Sequence, residues 1–183
     1  IDNYPEGQSE DFEVELHPEH PEFGTRKVTF SRELYVEQDD FMAEPVKKYF
    51  RLFPGNEVRF KSAYFIKCNS YDTDENGNVT CLHCTYDPES RGGNSPDGRK
   101  VKGTIHWVNA NDCKQCEVRL YDRLFPDSLE VIENCLLEGG FENAKPGDTF
   151  QFMRNGYFCV DKDSTEDKLV FNRTVALNSS WGK

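Results

Sequence analysis

Glu57-Val-Arg-Phe-Lys-Ser-Ala-Tyr-Phe-Ile-Lys67 is the stretch on which the fold class turns. Val58, Phe60, Tyr64 and Ile66 alternate with Arg59, Lys61, Ala63 and Lys67, a period of two. Successive side chains of a strand point to opposite faces, so this spacing predicts one buried face and one wet face. The same alternation returns in Phe12, Val14 and Leu16 with Glu13 and Glu15, in Val118 and Leu120 around Arg119, and in Phe150 and Phe152 with Gln151 and Met153. Turn-forming residues separate the runs at Pro54-Gly55-Asn56, Asn76-Gly77, Pro96-Asp97-Gly98, Gly139-Gly140 and Pro146-Gly147-Asp148. Helical periodicity is scarce, although Asp39 or Asp40 is placed to cap one short helix that Pro45 limits. Many strands between turns predict an all-β barrel or sandwich, and fourteen Phe and eight Tyr suit small β cores. Residues 87–98 read as a mobile loop.

The 183 residues suffice for one domain or two small ones with a real core. No charged-then-apolar leader and no apolar run of membrane-spanning length is present. A start at Ile1 instead of Met fits a chain processed or cut from a longer one. The net charge of −11 runs against the basic surface usual in nucleic-acid binders, but its distribution is uneven. Residues 1–46 carry thirteen acids and three bases; the next fifteen carry Lys47, Lys48, Arg51, Arg59 and Lys61 against the single acid Glu57. Screening confines charge effects to about 10 Å, so a local basic block can still attract phosphate on an acidic body. An ordinary solvated charge cluster is the plainer account of the same residues.

Seven cysteines, an odd number, cannot all be paired in disulfides and favour a reducing compartment. Asn78-Val-Thr80, Asn172-Arg-Thr174 and Asn178-Ser-Ser180 fit the glycosylation acceptor pattern, which has meaning only in a secreted protein. Cys81-Leu-His-Cys84 and Cys113-Lys-Gln-Cys116 form two CxxC pairs, a possible zinc set. Against zinc stand the long gap between the pairs and the strand-like setting of the first, where residues three apart face opposite ways. Buried or half-buried thiols are the simpler expectation. Asp72-Thr-Asp74-Glu-Asn76-Gly77-Asn78 resembles half a calcium loop, but His83 stands where the bidentate Glu belongs. A hairpin with a type I′ Asn76-Gly77 turn is the better reading. His17 and His20, flanked by prolines, and the pair Asp39-Asp40 fit extended surface and solvated face better than ligation or acid–base work. No nucleophile elbow, phosphate loop, dinucleotide fingerprint or zinc-protease motif occurs, so no catalytic residues are expected. Arg59, Lys61 and Lys67 sharing a strand face near Lys48, Tyr49, Phe50 and Arg51 is instead the pattern of a single-stranded RNA surface, in which cations meet phosphates and bases stack on rings.

Five long segments carry a more specific signal: Phe30-Ser-Arg-Glu-Leu-Tyr-Val-Glu-Gln-Asp-Asp-Phe41, Asp97-Gly-Arg-Lys-Val-Lys-Gly-Thr-Ile-His-Trp-Val108, Glu117-Val-Arg-Leu-Tyr-Asp-Arg-Leu-Phe125, Gly156-Tyr-Phe-Cys-Val-Asp161 and Leu169-Val-Phe-Asn-Arg-Thr-Val175. In order and spacing, from about residue 10 to the end, they resemble the C-terminal anticodon-binding region of glutaminyl-tRNA synthetases. The resemblance implies two small β-barrels like ribosomal protein L25, with short helices. The inner barrel would be residues 25–121, and the outer barrel residues 1–24 together with 122–183. It implies an anticodon loop of tRNA-Gln gripped at their junction. Lys48 and Arg51 would meet the third base, Arg59 and Lys61 the first, and Gln151 of Phe150-Gln151-Phe152 the middle one. Met153 departs from a Glu frequent in bacterial members, Lys61 from a frequent Arg, and Lys48 from an occasional Gln.

The resemblance also implies that ATP and magnesium serve a catalytic domain N-terminal to this region in a cytoplasmic parent enzyme. This region itself would need no cofactor, and neither membrane nor DNA would be a partner. Three alternatives stand beside this reading. They are the related region of eukaryotic-type glutamyl-tRNA synthetases, a secreted β-sandwich binding carbohydrate or protein, and a zinc-stabilised domain without RNA affinity.

Overall fold

A computed structural model describes residues 1–16, 20–121 and 128–177. The described residues are all-β, as the alternation predicts, with thirteen strands and three single-turn 3-10 helices. No helix among them is long and apolar enough to cross a membrane. They form two compact units, one of Ile1–Val14 with Thr25–Asp112 and one of Glu15–Gly24 with Cys113–Lys183. Two segments differ from the division that the resemblance implies. Residues 1–14 join the first unit because Tyr4 and Phe12 are buried in the same core as Phe30 and Trp107. Residues 113–121 join the second because their strand pairs with strands of that unit.

In the first unit, β1 (Ser9–Glu15) pairs with β2 (Thr25–Ser31), and β3 (Leu34–Tyr35) with β8 (Val108–Asn109). A four-stranded sheet runs in the order β6 (Val79–Asp87), β5 (Phe65–Thr73), β4 (Glu57–Phe60), β7 (Thr104–Ile105). Phe30 is fully buried at the centre of an aromatic cluster, with its ring 5.2–5.3 Å from those of Tyr4, Tyr64 and Trp107 in edge contacts. The phenols of Tyr64 and Tyr4 donate to Glu10, at 2.6 and 3.3 Å. Burial and then this carboxylate push Tyr4 up to about 12 and raise Tyr64 further, so both stay protonated donors.

Residues 57–67 are a tight hairpin, not one strand. Ala63 N–H donates to Phe60 O across a turn in which Ser62 takes a positive φ of 62°. The buried face survives because antiparallel partners share a face: Val58 lies opposite Ile66, and both are buried with Phe60 and Tyr64. Lys61, however, falls in the turn, and Arg59 lies opposite Phe65 on the outer face.

Phe65 is only 1% exposed on that outer face because residues 87–103 cover it. Its N–H donates to buried Ser90 Oγ at 2.7 Å. The Arg99 guanidinium lies 5.0 Å from the Phe65 ring centre and reaches Glu57 (2.9 and 3.0 Å), Asp87 (2.5 Å) and Asp97 (2.6 Å). The segment expected to be mobile is therefore pinned; its Gly, Pro and Ser residues shape turns around an arginine anchor. Two further local expectations change. Asp40 caps no helix but is fully buried in a 3-10 turn, Gln38–Asp40, 3.3 Å from Arg51 Nε. At residues 74–78 only Gly77 has positive φ, which excludes type I′. Asp74 instead accepts from Asn76 N–H, Asn78 N–H and the Asn78 amide, which engages its carboxylate within the turn.

The second unit is a five-stranded sheet ordered β10 (Leu129–Leu137), β9 (Lys114–Tyr121), β13 (Leu169–Val175), β12 (Gly156–Val160), β11 (Thr149–Phe152). Fully buried Phe171 anchors its core, with Phe141, Phe150 and Phe152 around it at 5.1–6.4 Å. Asn172, of one glycosylation-like triplet, sits in mid-strand and donates its amide to Asp161; the triplet at Asn178 lies outside the described residues, as does His17.

On the same sheet Glu117 is buried and accepts from Lys168 at 2.6 Å and Arg119 at 2.8 Å. These two cations, Lys168 first, hold Glu117 below its ordinary 4.5. The Asp163 N–H and then the Asn172 amide lower Asp161 from 3.8. Carboxylates depressed by folding contribute stability above their unfolded-state pKa and lose it as pH falls through the folded value. The denaturation midpoint of the second unit should therefore be flat above about pH 5 and drop below about pH 4. Glu117→Gln should flatten that drop, as read by urea melts across the range.

Candidate nucleic-acid interface

The basic block of residues 47–61 gathers at the β7 edge of the first unit's sheet. Val46-Lys47-Lys48-Tyr49 is a turn closed by Tyr49 N–H to Val46 O at 3.0 Å, with Lys48 at φ 70°. A left-handed lysine costs about 1–2 kcal/mol, so the surrounding structure imposes this conformation. It projects the exposed Lys47 and Lys48 from the loop. The next residues lie against β7. A Cβ on Gly103 would stand 1.8 Å from Phe50 O, so only glycine lets the two backbones pass this closely. Lys102 then places its ammonium 5.0 Å from the centre of the exposed Phe50 ring.

β4 and its turn complete the edge. Arg59 N–H donates to Gly103 O at 2.7 Å, and Lys61 N–H to Ile105 O at 3.1 Å. Trp107 Nε1 donates to Lys61 O at 3.0 Å, fixing the turn from beneath. The Arg59 side chain lies 5.3 Å from the Phe65 ring centre, with Nε donating to Gly93 O and Nη1 3.4 Å from Thr104 Oγ1. Arg51 is held by Nε against buried Asp40 and by Nη1 donating to Asp39 O at 2.8 Å. Both guanidiniums are held at Nε and Nη1, which leaves Nη2 without a hydrogen bond among the described residues and restrains the plane it presents. The block's one acid, Glu57, is engaged by Arg99. Among the described residues none of Lys47, Lys48, Lys61 and Lys102 forms an ion pair. A cationic edge whose lysines have no ion-pair partner among the described residues is thus built, with an exposed ring, into an acidic chain.

The structure brings Arg51, Arg59 and Lys61 onto elements that touch β7, with Lys48 on the adjoining turn. It adds Lys102, which the alternation could not reveal because residue 102 precedes a two-residue strand. Its signal was the Asp97–Val108 segment of the resemblance.

Gln151 lies in the second unit, on edge strand β11. Phe150 and Phe152 pack toward the core and Gln151 is exposed, as the alternation predicts. It lies opposite Tyr157, also exposed, so an amide with donor and acceptor sits beside an open ring. Tyr157 is a second residue that the strand pattern alone did not single out. Each CxxC pair is divided: Cys81 is exposed and Cys113 half-buried, whereas Cys84 and Cys116 are buried in the two cores. All seven cysteines are thiols.

Two stretches, residues 1–87 and 104–161, match the family described as tRNA synthetases class I (E and Q), anti-codon binding domain. The chain belongs to this family of anticodon-binding domains. Its relatives include proteins named glutamine–tRNA ligase. That of Bradyrhizobium diazoefficiens is 50% identical and matches 100% of this chain and 36% of its own length. That of Clostridium perfringens is 54% identical over 99% of this chain and 36% of its own, and that of Clostridioides difficile 50% over the same shares. The chain thus spans 36% of the length of these curated relatives. The family match displaces the secreted-sandwich reading.

Gly103→Ala should force the Phe50 and Gly103 backbones apart and lower stability by about 2–4 kcal/mol. The denaturation midpoint of the first unit should fall while that of the second is unchanged.

Proposed function

We propose that this chain is the tRNA-selecting region of a glutamine–tRNA ligase, and that the β7 edge and Gln151 hold the anticodon loop of tRNA-Gln. The observation that carries the reading is the cationic edge around exposed Phe50. Phosphates release counterions on meeting such cations, and unstacked bases take up exposed rings. Lys48 and Arg51 serve the third anticodon base, and Arg59 and Lys61 the first. The held planes of the two arginines suit forked contacts with a base edge or a phosphate. Gln151 serves the middle base, because an amide's donor and acceptor match a uracil edge that alternates acceptor, donor and acceptor. Lys102 and Tyr157 extend these contacts.

In this reading the chemical step, joining glutamine to tRNA with ATP and magnesium, belongs to a catalytic domain of the same cytoplasmic polypeptide outside these residues. The names of the relatives favour glutamine over glutamate specificity. The region contributes discrimination, about 1–3 kcal/mol for each good base contact.

Filter binding of tRNA-Gln at fixed salt tests the assignment. Arg51→Ala and Gln151→Ala should each weaken binding about 5- to 150-fold. Wild type should discriminate against a uracil-to-cytosine change at the middle base, and Gln151→Ala should not. Equal tolerance by both proteins would remove the Gln151 assignment. Lys48→Gly suits the positive φ, so its stability should be unchanged or raised by up to about 1 kcal/mol. Its loss of tRNA affinity would then report the missing ammonium and not a damaged fold.

A further inference from the structure

We infer that Asp72, Cys81 and His83 form a binding site for a zinc-class divalent cation on the outer face of the β5–β6 hairpin. The register of the hairpin brings them together. Asp72 lies directly opposite Cys81, and His83 lies opposite Ser70, two residues beyond Cys81 on the same strand. Residues directly opposed in an antiparallel pair share a face, and so do residues two apart, so all three point the same way. A register shift between Cys68 and Ser70 sets this face. It leaves Cys68 opposite Cys84 on the core side, with Tyr71 and Leu82, while Asp72, Cys81 and His83 stay outside.

The donor atoms lie within 4.8 Å of one another, and His83 Nε2 is 2.8 Å from Asp72 Oδ2. Ligands of a tetrahedral zinc stand about 3.3–3.6 Å apart, given bond lengths near 2.0–2.3 Å. Small side-chain rotations would open the His83–Asp72 contact and close the others to that spacing. The imidazole already has an orienting carboxylate on its other side, with Asp2 Oδ1 3.5 Å from His83 Nδ1. A second carboxylate in that place fixes the ring of a metal-bound histidine and raises its basicity. Asp2 is itself positioned by its N–H, which donates to Cys84 O at 2.7 Å.

One thiolate, one imidazole and one carboxylate suit zinc, cobalt or cadmium; calcium and magnesium prefer oxygen-only sets. Cys81 and Asp72 are exposed, so the fourth position would be open to water.

Zinc titration of the purified chain by calorimetry, with cobalt absorption as a second readout, tests the site. One zinc per chain should bind saturably. Cys81→Ser and His83→Ala should each weaken it at least tenfold, and Cys113→Ser should leave it unchanged. Cobalt should give thiolate-to-metal absorption in wild type and none in Cys81→Ser. Alkylation of Cys81 in wild type should slow when zinc is added, a measurement that needs no variant. Absence of saturable binding, binding indifferent to Cys81 and His83, or unprotected alkylation would overturn the site. Loss of zinc in Cys113→Ser would overturn it in favour of the CxxC cysteines.

Discussion

Phe65 is an apolar ring on the outer face of a hairpin, and much of the first unit is arranged around covering it. Two guanidiniums, those of Arg59 and Arg99, lie over its ring. A cation over an aromatic face gains electrostatically while its apolar stem shields the ring from water. Arg99 needs carboxylates to remain there, and Glu57, Asp87 and Asp97 supply them. Those partners fix the 87–103 segment, and the segment presents the Gly93 carbonyl that orients Arg59. A Cβ on Gly93 would meet the Arg59 side chain at 2.9 Å, so the glycine keeps that path clear. The arrangement that buries Phe65 therefore also decides how Arg59 is presented.

The same arrangement reconciles an acidic chain with a cationic edge. Two acids near the edge are turned inward against particular partners: Glu57 to Arg99, and Asp40, fully buried, to Arg51. The lysines at 47, 48, 61 and 102 are left to the solvent. With screening over about 10 Å, distant acids such as those of β1 weigh little at this edge. Net charge describes the body of the molecule, and the local pairing describes the surface a phosphate would meet.

Much of this is legible in the sequence. Period-two spacing identified the buried faces at Val58, Phe60, Tyr64 and Ile66 and at Phe150 and Phe152, because alternation is a local property of the strand. It also put Gln151 outside. The turn at Lys61-Ser62 was not legible, since neither residue is a usual bearer of positive φ and the alternation reads through it unchanged. Phe65 looked like one more apolar residue in a strand, whereas its burial depends on Arg99, thirty-four positions later. Lys102 and Tyr157 needed pairing partners to acquire meaning. Asp72, Cys81 and His83 fall in different spacing patterns and match none as a set of three; only the register of two strands makes them neighbours. The pattern shows which way a side chain points along its own strand, and tertiary pairing decides what it meets.

The four-stranded and the five-stranded sheet each contain a parallel pairing that joins distant parts of the chain, Arg59 to Thr104 and Val118 to Phe171. Closing such long loops carries an entropic cost that must be met before the pairing returns anything, which slows folding. The hairpins β4–β5 and β5–β6 can form from neighbouring residues, but β7 cannot join β4 until residue 104 has been synthesised. During translation the cationic edge is accordingly among the last features of the first unit to be assembled, and a half-made chain has the β4–β5 and β5–β6 hairpins without the backbone of residues 103–105 to which the Arg59 and Lys61 N–H groups donate.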